Sequence, residues 1–158
     1  MLRLSTKCQY GVRAMYEIAR CLPEHPISAR AISEMQDVPM PFLDQILHKL
    51  RKAGLILSVK GPGGGYLLNG LPDEVSIGDI VRELEGPVAI TSCLDPEEGC
   101  ARVDGCVVHL LWKNLGRQIE DFLNTIKLDD LVKGRIFTEY TDAVNLKGLG
   151  PKSPGHNR

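Results

Sequence analysis

Residues 54–69 read GLILSVKGPGGGYLLN, in which two β-rich runs, Leu55 to Lys60 and Tyr66 to Asn69, are held apart by GPGGG. A proline followed by three glycines cannot continue a helix and suits a tight reversal, so the segment predicts a hairpin with a flexible tip. Directly before it, Leu43, Ile46, Leu47 and Leu50 recur at helical spacing, Pro41 suits the first position of the helix and Gly54 stops the run. Two more helices precede. One spans about Thr6 to Leu22, capped by Ser5 or Thr6, with Gly11, Ala14, Met15, Ile18, Ala19 and Leu22 on one face. After the break at Pro23 to Pro26, Ser28 can cap a short second helix with Ala31, Ile32 and Met35 turned inward. Three helices followed by a hairpin is the order of a winged helix-turn-helix.

Placing the apolar stripe of the third helix inward at 100° per residue leaves Pro41, Gln45, His48 and Lys52 outward, with Asp44, Lys49 and Arg51 on the flanks. In a winged helix-turn-helix this helix enters the major groove and the hairpin reaches the adjacent minor groove or backbone. Gln45 can pair with an adenine edge and Asp44 can accept from a cytosine amine, while Lys49, Arg51 and Lys52 suit phosphates. Lys60 stands at the end of the first strand, and Gly63, Gly64 and Gly65 let the tip backbone approach DNA without side-chain clashes. The bland alternative is a tight turn beside a solvated basic face. The full order of helices, basic exposure and glycine wing favours the DNA-reading expectation.

Charge is unevenly distributed. Residues 1–70 hold nine Lys/Arg against five Asp/Glu, residues 71–130 hold five against thirteen, and the overall net charge is -1. Nucleic acid should therefore meet the front of the chain. The first residues, MLRLSTKCQYG, lack the apolar core of a signal peptide, and no apolar run approaches the ~18 residues of a membrane span. A cytoplasmic location without a membrane partner is expected. Thiols stay reduced there, so the five cysteines read as free thiols or metal ligands rather than a disulfide framework. Cys8 and Cys21 lie apart from the rest and read as small core or half-buried residues.

Ser76 with Asp79 resembles a capping box, and Ile77, Ile80, Val81 and Leu84 predict a helix ending at Gly86-Pro87. The longest helix is expected from about Cys106 to Ile126. Its Val108, Trp112, Leu115, Ile119, Phe122 and Ile126 step by threes and fours, a seam that suits a partner helix and hence a homodimer. Between the two lies a polar loop with Cys93, Cys100 and Cys106, followed three residues later by His109. Cys106 and His109 can project from one helix face, and the amino end of a helix stabilises thiolates. Zinc accepts Cys3His and iron-sulfur clusters are served by thiolates with an occasional His. The wide ligand spacing favours a cluster. A loop as polar as LDPEEGCARVDGC has no apolar core in which merely to bury thiols. No nucleophile-base arrangement points to an enzyme. A thiol redox switch would lack a Cys-x-x-Cys pair.

The segment LRKAGLILSVKGPGGGYLL, the three cysteines and CVVHLLWKNLGRQIEDFLNTIKLDDLV resemble the IscR-type transcription regulators, the iron-sulfur cluster regulators of bacteria, from Leu2 to about Val132. The resemblance implies a mainly α fold with a small β-hairpin wing and a homodimer with crossing long helices. It also implies double-stranded DNA as partner and a 2Fe-2S cluster on Cys93, Cys100, Cys106 and His109. Related members carry a 4Fe-4S cluster on three cysteines and sense nitric oxide or iron, with a further ligand from the first helix of the partner subunit, near whose start Cys8 and Gln9 stand. The first cysteine gap here is one residue longer than in IscR proper, and Lys60 stands where arginine is frequent.

The expected organisation is therefore a winged helix-turn-helix over residues 1–72, a connecting helix over 73–90, a ligand loop over 91–109, a dimerisation helix region over 106–134 and a disordered tail over 147–158.

Overall fold

The computed structural model describes residues 4–21, 23–94 and 105–135. Cys100 and the expected tail lie outside the described residues. Helix α1 (Thr6–Arg20) is capped by Ser5, whose hydroxyl accepts the Cys8 amide at 3.2 Å. Its face of Cys8, Gly11, Ala14, Met15, Ile18 and Ala19 is buried. Helix α2 (Ala29–Gln36) is capped by Ser28 as expected and ends at Asp37, which is left-handed at φ 51°. Ile32 is buried, but Met35 faces outward. An eight-residue helix offers only about two turns, and here the apolar contact is satisfied by Ile32 and by Val38 beyond the turn.

Helix α3 (Met40–Lys52) buries Leu43, Ile46, Leu47 and Leu50. It starts one residue earlier than Pro41, with Pro39 at the cap, so Pro41 sits in the first turn, where a missing amide costs no hydrogen bond. Strands β1 (Ile56–Val59) and β2 (Gly65–Leu68) pair antiparallel, with Ile56 opposite Leu68 and Val59 opposite Gly65. Ile27 bridges Tyr66 through two backbone bonds of 2.8 and 3.0 Å, stitching the wing to the entry of α2.

Helix α4 (Ile77–Glu85) has the reciprocal capping box: Ser76 Oγ accepts the Asp79 amide at 3.0 Å and Asp79 accepts the Ser76 amide at 2.9 Å. This helix is the hub. It packs against α1 and α3 on one side and against the long helix α5 (Val107–Thr125) on the other. The chain then turns back. Ile126 lies one residue past α5, Leu128 donates its amide to the Val75 carbonyl, and α6 (Leu128–Val132) docks on α1 with Leu128 fully buried. The carboxy-terminal part of the expected dimerisation region thus belongs to the protomer's own core. Five residues are too few to show a period, so this element was not readable as a helix from the sequence.

Candidate nucleic-acid interface and metal-ligand segment

Pro41, Asp44, Gln45, His48, Lys49, Arg51 and Lys52 are all exposed on α3, because the four-residue apolar stripe fixes the rotation of the helix against α1 and α4. Lys60 and Gly63 are exposed at the hairpin tip, where Gly61 and Gly63 adopt φ of 94° and 74° in the turn. Gly64 and Gly65 are half-buried, and a different constraint applies to them. A Cβ on Gly64 would meet the Val59 carbonyl oxygen, and one on Gly65 would land on the Ile27 carbonyl oxygen. Their lack of a side chain serves the closure of the wing on its own chain.

The fold adds a cation that the sequence reading missed. Lys7, in the first turn of α1, lies beside Lys49, and its ammonium pulls Lys49 below the usual lysine value. Glu85, at the end of α4, partly offsets this and also accepts from the Ser5 amide at 3.2 Å and from the Ser5 hydroxyl. One local signal existed: a lysine in the first turn opposes the helix dipole, so helix stability does not account for its position.

In the ligand segment, Cys106 is the N-cap of α5. Its Sγ accepts the His109 amide at 3.4 Å. The His109 ring is buried on the face of α5 turned to its own domain, and its Nδ1 has no hydrogen-bond partner among the described residues. An unsatisfied buried nitrogen costs roughly 1–3 kcal/mol, so a group that binds there is favoured. Cys93 sits in a 3-10 turn, Ser92–Leu94, that packs on α5, with Thr91 Oγ1 and Cys93 Sγ 3.0 Å apart. The structure brings Cys106 and His109 together. Among the described residues it does not gather three His, Cys, Asp or Glu side chains into one site. By donor type, two soft sulfurs and an orphaned imidazole nitrogen fit a thiolate-bound iron-sulfur group better than a hard cation. Cys8 is fully buried in the core, and burial, helped by Glu85, pushes its thiol up to about 11.

The anticipated seam is divided by the fold. Helix α5 covers its own domain with His109, Gly116 and Leu123, and Gly116 lets the Val88 carbonyl approach. Val108, Leu115 and Phe122 remain 57%, 42% and 39% exposed, with Trp112 and Ile119 partly so. Val107, Leu110 and Leu111 widen this apolar surface. Ile126 does not join it, because it lies past the helix end and packs against the core cluster.

No described helix is long and apolar enough to cross a membrane. Residues 4–134 match the family model Rrf2, described as iron-dependent transcriptional regulator. The HTH-type transcriptional regulator IscR of Pectobacterium carotovorum is 40% identical over 141 residues, 89% of this chain and 85% of that protein. The structure of IscR from T. potens superposes with a TM-score of 0.70 at 35% identity, covering 95% of this chain and 94% of that one. CymR, the global cysteine regulator of B. subtilis, superposes with a TM-score of 0.68 at 34% identity, over 84% and 98% of the two chains. These relatives are regulators rather than enzymes. With its winged-helix architecture and a match over most of its length, the chain belongs to the Rrf2 family of iron-dependent transcriptional regulators and is of the IscR type.

Proposed function

We propose that this regulator binds palindromic double-stranded DNA as a cytoplasmic homodimer and that an iron-sulfur cluster, 2Fe-2S in type, controls that binding. The observation that carries the cluster reading is the buried Nδ1 of His109, without a partner among the described residues, one helical turn from the Cys106 sulfur. Cys93, Cys100, Cys106 and His109 would hold the group. When bound, it supplies an iron- and redox-responsive tie between the ligand segment and α5.

The chain's own contacts join that segment to the DNA-reading helix. Glu120 of α5 accepts the Val88 amide at 3.2 Å, and Arg82 of α4 donates to Asn124 of α5 at 3.1 Å. Helix α4 packs against α1 and α3, and its Glu85 accepts from Ser5 at the start of α1. A shift of ~1–3 kcal/mol through such a path changes affinity several-fold to a hundredfold. On the DNA side, Gln45 and Asp44 read bases from α3, Lys49, Arg51, Lys52 and Lys7 hold phosphates, and Lys60 with the wing tip meets the flanking groove. The exposed seam of α5 supplies the two-fold contact. Half-sites about one helical turn apart follow from that symmetry.

The test is strictly anaerobic purification with iron and sulfide counting, alongside DNA binding across a promoter panel for wild type and the C93A/C100A/C106A variant. Coloured protein with two irons and two sulfides per chain, and altered affinity or promoter preference in the variant, are expected. Colourless, iron-free wild type would end the cluster reading. Four irons per cluster would move the assignment to the 4Fe-4S type that senses nitric oxide or iron.

A further inference from the structure

Phe42 is a large aromatic side chain left 48% exposed in the first turn of α3. Burying a phenylalanine is worth roughly 1.5–3 kcal/mol, so leaving it half in water forgoes part of that gain. Its ring is nonetheless held in place. It meets the Tyr10 ring of α1 edge-on, with centroids 6.3 Å apart and planes at 83°, and its amide donates to the Pro39 carbonyl at 3.0 Å. Phe42, Gln45 and Lys49 follow one another at i, i+3 and i+7, so the ring, the amide and a cation form one stripe on α3. Lys49 lies on the same side of α3, with Lys7 beside it, and Lys52 follows at the carboxy end of the helix. The surface is thus a basic face with an apolar element at its amino end.

A recognition helix presents its amino-terminal residues to the base edges. The major groove shows those residues hydrogen-bonding groups and a single apolar feature, the C5-methyl group of thymine. A phenyl ring has nothing to offer the former and matches the latter. Resting on the DNA-binding reading above, we propose that Phe42 is a specificity-determining residue that packs on a thymine methyl in each operator half-site, next to the base read by Gln45.

The experiment starts from duplexes selected by the wild-type protein out of a random-sequence pool. In the selected site each thymine is replaced in turn by deoxyuridine, which removes only the methyl group, and affinity is read by fluorescence anisotropy. One thymine per half-site should weaken wild-type binding about fourfold when demethylated, and about fifteenfold when both half-sites are changed. Phe42→Ala should bind the thymine and uracil duplexes alike, and Phe42→Leu should keep part of the preference. Two results would overturn the proposal: no thymine sensitive to demethylation in wild type, or the same penalty in Phe42→Ala. The wild-type series decides even if Phe42→Ala does not fold. Failure to select any duplex would strike at the DNA-binding reading itself, a separate outcome.

Discussion

The sulfur of Cys106 accepts the amide of His109, while the imidazole of His109 is buried with its Nδ1 unpartnered among the described residues. One cysteine therefore has two separable duties, as helix cap and as candidate ligand. Cys106→Ser should keep the cap, since a hydroxyl caps well, but lose the soft ligand. Cys106→Ala should lose both. Circular dichroism and thermal melts of the apoprotein should show Ser near wild type and Ala less stable by about 1 kcal/mol, while visible absorption falls in both. Equal melting of the two variants would show that the cap contributes nothing.

Helix α5 leaves Val108, Leu115 and Phe122 exposed while its other face covers α4. A charge placed in the exposed stripe should leave the protomer folded and break a two-fold contact. Leu115→Asp is expected to sediment as a monomer with a near-native melting curve and to lose at least tenfold in affinity for a palindromic site. Unchanged sedimentation would move the interface elsewhere.

Lys7 and Lys49 are two ammonium groups held side by side, which is a liability in the free protein and an asset beside phosphate. Lys7→Gln should raise thermal stability slightly at low salt and weaken DNA binding. The slope of log K against log salt should fall by about one unit if Lys7 contacts a phosphate. Replacing Gln45 should instead relax base preference with little change in that slope.

The wing depends on a backbone contact that tolerates no side chain at Gly65. Gly65→Ala must push apart the Ile27–Tyr66 bridge or distort the hairpin, at a cost of about 1–3 kcal/mol. Hydrogen exchange should show faster exchange of the Ile27 and Tyr66 amides, with the α1–α4 packing intact.

Partial burial pulls Asp79 upward, but hydrogen bonds from Ser76 and the Arg82 guanidinium outweigh it and hold the carboxyl below its usual value. A native value below the unfolded one means the stabilisation is present above the ordinary carboxylate range and disappears as pH falls from about 4 through the native value. Asp79→Asn should flatten part of that acid limb in urea melts. Ser76→Ala should cost about 1 kcal/mol at neutral pH.

Much of this was legible in the chain because helices and hairpins are specified by short-range chemistry. The stripe from Leu43 to Leu50 fixed which face of α3 is exposed, Ser5, Ser28 and Ser76 marked three helix starts, and GPGGG marked the wing. Spacing picked out a stripe on α5 of which Val108, Leu115 and Phe122 are exposed, though not the neighbouring Val107, Leu110 and Leu111. Pairings between residues distant in sequence were not legible. Nothing local brings Lys7 to Lys49, sets Gly65 against Ile27, folds Leu128 back under Val75 or buries the His109 ring. Those depend on which surfaces meet once the helices pack. Periodicity reports the direction a side chain takes from its own helix; only the assembled core determines what stands opposite it.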